Sequence, residues 1–91
     1  MQATPVFLDF EASSLASASY PIEVAWSCGG DSIESHLISP TGVSRWTDWS
    51  AKAEALHGLS REQLIAEGKP PVWVAQSMNE QLYALVRASA D

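Results

Sequence analysis

Asp9 and Glu11 are the residues with the clearest capacity for chemistry. They close the apolar run Val6-Phe7-Leu8-Asp9-Phe10-Glu11. An extended strand sends alternate side chains to opposite faces. Phe7, Asp9 and Glu11 therefore share one face, and Val6, Leu8 and Phe10 share the other. The two carboxylates emerge on one side of the strand's carboxyl end, roughly 7 Å apart at the backbone. Acidic groups so placed repel unless a cation sits between them, and a hard divalent ion such as Mg²⁺, which takes oxygen ligands, satisfies both. A solvated Asp-x-Glu is the alternative, because so short a pattern recurs by chance. The context favours a site. Both faces of the run are apolar almost to its end, the pattern of a strand covered on both sides. Ligands of open α/β sheets gather at the carboxyl ends of strands.

The elements around this pair follow from periodicity and turn chemistry. The first strand runs from Pro5 to about Glu11. Ala12-Ser13-Ser14-Leu15-Ala16-Ser17-Ala18-Ser19 follows. Such a stretch is commonly a flexible connection. Beside two carboxylates, its small side chains would also let a substrate approach the backbone. Tyr20 to Cys28 alternates, with Ile22, Val24, Trp26 and Cys28 on one face, and predicts a second strand. Gly29-Gly30-Asp31 is hairpin-turn chemistry. Ser32 to Ser39 predicts a third strand with the weaker alternation of an edge, on which His36 is expected to be exposed.

Pro40-Thr41-Gly42 breaks the sheet. A helix is predicted from Trp46 to about Leu56, with Thr47 or Asp48 as N-cap and Gly58 as its stop. Ser60-Arg61-Glu62-Gln63 fits a capping box opening a second helix, Arg61 to Glu67. Gly68-Lys69-Pro70-Pro71 ends that helix and restarts the chain. Val72 to about Ala88 predicts the longest helix, with Ala75, Met78, Leu82, Leu85 and Val86 as its core stripe. Asn79, Glu80, Gln81 and Arg87 fall on the remainder.

The chain has 91 residues, enough for one small domain. Its hydrophobic fraction of 46% is that of a globular protein. A formal net charge of −6 argues against an extended grip on nucleic-acid backbone, which Lys and Arg provide. It leaves room for an enzyme that holds one strand end through metal ions. Arg45, Lys52, Arg61, Lys69 and Arg87 form no run. Cys28, the single cysteine, allows no internal disulfide and reads as a small apolar filler. The N-terminus lacks the pattern of a secretory signal, and no run is long enough to span a membrane. A cytoplasmic protein is expected.

Three stretches in order carry a resemblance. Phe7-Leu8-Asp9-Phe10-Glu11-Ala12-Ser13-Ser14-Leu15 resembles the first exonuclease motif of the DEDD superfamily of 3′-to-5′ exonucleases, whose pattern is close to Asp-x-Glu-Thr-Thr-Gly-Leu. Asp9, Glu11 and Leu15 match it, while Ala12-Ser13-Ser14 replaces Thr-Thr-Gly. Tyr20-Pro21-Ile22-Glu23-Val24-Ala25 resembles the family's second strand. Ala55-Leu56-His57-Gly58-Leu59-Ser60 resembles its His-Gly-Ile-Thr segment. The superfamily includes oligoribonuclease, ribonuclease T and polymerase proofreading subunits.

The resemblance spans nearly all of the chain and the first half of the family domain. It implies a ribonuclease H-like fold of the α/β class with a mixed, α+β sheet. Residues 1–91 would form a partial domain: a three-stranded antiparallel meander followed by helices, lacking the later strands. The first strand, central in the family order 3-2-1-4-5, would be left as an apolar edge open to pairing, including with a second copy. The resemblance also implies metal-dependent hydrolysis at the 3′ end of single-stranded or short nucleic acid, RNA or DNA, through two Mg²⁺ or Mn²⁺ ions. Asp9 and Glu11 would be metal ligands and catalytic residues. Leu15 would pack on the terminal base, the backbone of Ala12, Ser13 and Ser14 would lie along the terminal nucleotide, and His57 would belong to a substrate-side loop. The family's other two carboxylates and its general base have no counterpart here. The two-metal site would therefore be incomplete, and the 91 residues alone inactive. A non-catalytic module that binds a partner through the open sheet edge is the alternative.

Overall fold

The computed structural model describes residues 6–28 and 33–90. The element order is β1 (Phe7–Ala12), β2 (Pro21–Ser27), β3 (Glu34–Leu37), α1 (Ala51–His57), α2 (Arg61–Glu67) and α3 (Pro71–Ala90). The strands form one antiparallel sheet in the order β1-β2-β3. The architecture is thus of the mixed α+β class, a meander followed by helices. The expected Gly29-Gly30-Asp31 turn lies outside the described residues.

The central strand, β2, carries the core. Ile22, Val24 and Trp26 are buried on one face, as their alternation predicts. Val24, Trp26 and Ile38 pack against Val74 of α3, with Cys28 and Met78 closing around them. Tyr20 and Ile22 pack against Leu64 of α2, with Trp46, Trp49 and Leu59 beside them. The Tyr20 and Trp46 rings stack with centroids 5.2 Å apart. Arg61 locks that stack, donating from Nε to Tyr20 Oη (3.2 Å) and from Nη2 to the Trp46 carbonyl (2.7 Å).

The first strand departs from expectation. The apolar run predicts cover on both faces, yet Val6 is 45% exposed, Phe7 66%, Leu8 53% and Phe10 49%. Helices α2 and α3 pack over β2 and the residues of β3, and β1 pairs with β2 alone. Its outer edge is free among the described residues.

The caps explain the helix bounds. Ser50, rather than Thr47 or Asp48, caps α1, its side chain accepting from the Ala53 N–H at 3.1 Å. The helix therefore begins after Trp46 and Trp49, which fill the core instead. Gly58 ends it at φ 75°, the left-handed conformation that glycine adopts without strain. Ser60 caps α2 through the Gln63 N–H at 3.1 Å. In α3 the inward face is Val74, Met78, Gln81, Leu82 and Leu85, while Ala75 and Val86 are exposed. Gln81 turns in because its Oε1 accepts from Trp26 Nε1 at 2.9 Å. His36 is not an exposed edge residue. Its ring lies 5.3 Å from that of Trp26 and 5.0 Å from that of Trp73, and Nε2 pairs with Glu34 Oε2 at 2.9 Å.

The radius of gyration is 15.0 Å, against about 12 Å for a compact chain of this length. The longest element is α3, whose 20 residues extend about 30 Å, with Tyr83 and Val86 on its solvent face. No described helix is long and apolar enough to cross a membrane.

Candidate functional site

The site is built where β1 ends. The β1–β2 register shifts between Glu11 and Ala12, so that Glu11 faces Glu23 but Ala12 faces Pro21. Such irregularities bend a strand and redirect its side chains. The chain then turns at Ser13, which is fully buried. The Ser13 N–H donates to the Tyr20 carbonyl (3.0 Å), and its Oγ accepts from the Tyr20 N–H (3.1 Å). The Ser13 carbonyl accepts from the Ser50 N–H (3.1 Å). Ser13 Oγ donates to Asp48 Oδ2 at 2.9 Å, and Ser14 Oγ donates to the same oxygen. Ser14 Oγ also accepts from the Ala16 N–H at 3.0 Å. The small residues are thus fastened into one shape rather than left as a loose connection.

Beside this turn lies a cavity of about 500 Å³. Phe10, Glu11, Ala12, Ser14 and Leu15 line it from β1 and the turn, and Lys52, Ala53, Leu56 and His57 line it from α1. Glu11, Ala12, Ser14, Leu15 and His57, singled out from distant stretches of sequence, therefore share one concavity. Ser13 lies beneath it, with its side chain turned to Asp48 and Tyr20. Asp9 does not line it. Asp9 sits two residues earlier on β1, on the same sheet face as Glu11, and is exposed.

Leu15 is fully open to solvent beside the cavity, and Leu56 is largely so. Apolar surface of this kind at the mouth of a concavity is suited to a flat ring such as a nucleobase. Lys52 brings a cation to the lining that also holds the Glu11 carboxylate. Lys52 stands in the first turn of α1, where a positive charge gains nothing from the helix dipole.

The His57 ring has a defined proton arrangement. Its Nδ1 accepts from the Leu59 N–H at 3.0 Å, so the neutral ring carries its proton on Nε2. The ring meets Trp49 edge to face, with centroids 5.8 Å apart, and Trp49 Nε1 is held by Glu54 Oε1 at 2.8 Å. Nε2 is buried without a hydrogen-bond partner. An unmet buried donor costs about 1–3 kcal/mol. A ring so arranged donates from Nε2, which suits a binding role better than that of a general base.

Asp9 and Glu11 share their sheet face with Glu23, directly across from Glu11. Among the described residues none of the three has a basic partner. Like charges directly opposite destabilise a sheet, and a divalent cation would relieve them. The described residues gather no set of three or more acidic, histidine or cysteine side chains around one point. Hard carboxylate oxygens at a strand end nonetheless fit Mg²⁺ or Mn²⁺, which often take one or two protein carboxylates and complete their shells with water and phosphate.

Sequence reasoning passed over Asp48 and Lys52. Asp48 carries the signal of a helix cap, and only the folded chain shows its hydroxyl partners. Family models, curated proteins and solved structures yield no match to this chain.

Proposed function

We propose that the chain belongs to a metal-dependent 3′-to-5′ exonuclease of the DEDD type, acting on the 3′ end of single-stranded or short RNA or DNA. One observation carries this reading. The stretches that resemble the family's first motif and its His-Gly segment line a single cavity that opens beside Glu11. In this reading the terminal base rests against Leu15 and Leu56, the sugar and phosphate lie along Ala12 and Ser14, and His57 belongs to the α1 wall on the substrate side. Asp9 and Glu11 would hold Mg²⁺ or Mn²⁺, which supplies charge neutralisation and an activated water to phosphodiester hydrolysis. These 91 residues contribute two of the family's four carboxylates, so little turnover is expected of them alone. A cytoplasmic setting suits such an enzyme.

Metal binding is tested by calorimetric titration with Mn²⁺. The native chain should bind, and Asp9→Asn and Glu11→Gln should each weaken binding about tenfold or more, since each removes a formal charge and a ligand. No heat from the native chain at millimolar Mn²⁺ would remove the nuclease reading.

A second reading rests on the free edge of β1. Phe7, Leu8 and Phe10 on a strand paired along one edge only are suited to strand addition. The chain would then be a non-catalytic module whose partner is a second copy of itself. Release of mononucleotides from an end-labelled oligonucleotide by a longer protein containing these residues separates the two readings.

A further inference from the structure

We propose that Asp48 is the positioning residue of the cavity. It would set the distance between the turn after β1 and helix α1, and so determine whether a nucleotide fits. The inference rests on the nuclease reading for what the cavity binds. It rests on the hydrogen bonds alone for how the cavity keeps its shape.

Asp48 is not itself among the residues that line the cavity. Its Oδ2 receives the hydroxyls of both Ser13 and Ser14, which lie 35 and 34 residues earlier. Ser14 belongs to one side of the cavity. Asp48 itself stands two residues before Ser50, the cap of α1, and α1 supplies the other side. The Ser50 N–H to Ser13 carbonyl bond, at 3.1 Å, is the second tie between the same two segments.

Apart from the buried Ser13, hydrogen bonds rather than packing hold this turn. Ala12 and Ser14 are half-buried, Ala16 is exposed and Leu15 is wholly so. Hydrogen bonds to an ionised acceptor are about twice as strong as neutral ones. One carboxylate with two hydroxyl donors is therefore the strongest side-chain tie on the turn.

The arrangement also fixes what Ser13 and Ser14 can do. Both hydroxyl protons point at Asp48. The lone pairs of Ser13 Oγ meet the Tyr20 N–H and those of Ser14 Oγ meet the Ala16 N–H. Neither hydroxyl is free to donate to a phosphate. What the turn offers a ligand is its backbone and the Leu15 side chain.

The test titrates the ¹⁵N-labelled 91-residue chain with deoxythymidine 5′-monophosphate in Mg²⁺ buffer, beside Asp48→Ala and Asp48→Asn. Asp48→Ala should weaken nucleotide binding about tenfold. Asp48→Asn keeps an oxygen with two lone pairs in place and should stay within about threefold of native. Hydrogen exchange at the Ser13 and Ser50 amides should quicken in Asp48→Ala but not at Leu64 or Val74. Equal affinity in all three proteins, or equal loss in both variants, overturns the proposal. If the native chain takes no nucleotide, the cavity reading alone falls. Exchange at Ser13 and Ser50 then decides the clamp, and unchanged rates there overturn it. Should Asp48→Ala fail to fold, Ser14→Ala removes one of the two hydroxyl bonds. It should weaken nucleotide binding about threefold and quicken exchange at the Ala16 amide, and no change in either measure overturns the proposal.

Discussion

Replacing Gly68 with alanine should be among the most damaging single changes in the chain, and the reason is room rather than backbone angle. Gly68 has φ −74°, which any residue adopts. A Cβ at this position would nevertheless stand 2.6 Å from the Ser39 nitrogen and 2.9 Å from the Ile38 carbonyl carbon, and closer still to the Leu64 oxygen. All three are backbone atoms, so no side chain can swing aside. The last turn of α2 must draw away from residues 38–39. That motion strains the Ser39 N–H to Lys69 carbonyl bond and the Lys69 N–H to Leu37 carbonyl bond, both 2.9 Å. Overpacking costs about 1–3 kcal/mol, and each lost bond about 0.5–1.5 kcal/mol. The stiffer unfolded chain returns about 0.4–1 kcal/mol. A net loss of about 3 kcal/mol lowers the melting temperature by about 15 °C in a domain of this size.

Two other glycines calibrate the measurement. A methyl group on Gly42 would meet nothing within 4 Å, so Gly42→Ala should shift stability by less than about 0.5 kcal/mol. Gly58, at φ 75°, should lose about 1 kcal/mol on the same change. Thermal melting followed by circular dichroism ranks the three. If Gly68→Ala melts within a few degrees of native, or no lower than Gly58→Ala, the close approach of α2 to residues 38–39 is wrong.

Three further outcomes follow from the structure. Hydrogen bonds from His36, and next from the Gln81 side chain, hold the Glu34 carboxyl below its usual range. Its folded value lies under its unfolded one, so its contribution is present above the ordinary carboxylate range and fades as pH falls through the lowered folded value. Glu34→Gln should flatten that acid limb in a melting-temperature series, and an unchanged limb would contradict the pairing. Leu64→Ala, at a side chain with no exposure, should cost about 2–5 kcal/mol, read by urea denaturation, and a loss under about 1 kcal/mol would mean that the second core cluster is loosely packed. If β1 pairs with a second copy, sedimentation should show reversible dimers that Leu8→Lys abolishes; a concentration-independent monomer would end that idea.

Much of the fold was legible because local chemistry and tertiary structure agree. The alternation of Ile22, Val24 and Trp26, the Ser60 capping box and Gly58 each state a local preference that packing keeps. The misread parts are those where a distant partner wins. Asp48 is a good cap by type, but two serines 35 and 34 residues earlier take its carboxylate, and Ser50 caps α1 instead. Gln81 looks like a solvent residue until Trp26 Nε1 claims it, which rotates the inward stripe of α3 to include Val74 and leaves Val86 outside. His36 reads as edge decoration, and only the arrival of Trp73 encloses it. At the candidate site, motif order marked Glu11, the turn after it and His57 as belonging together. Nothing in the residue types announced Lys52 or the hydroxyl pair on Asp48.

Helices α2 and α3 pack on one side of the sheet; Phe7, Asp9, Glu23, Ala25 and Ser27 lie on the other, Glu11 stands where that face meets the cavity, and none of the six is buried. The acidic pair therefore works in bulk dielectric. Two unit charges about 4 Å apart interact by about 1 kcal/mol in water and about 4 kcal/mol in the partly shielded surroundings of a protein surface. Salt at physiological strength damps the field within about 8 Å. Any body laid over that open side would strengthen every charge–charge contact beneath it several-fold without moving an atom of β1. The grip of Asp9 and Glu11 on a cation is thus a variable set by what roofs the sheet, and ionic strength is the dial by which the bare chain should reveal it.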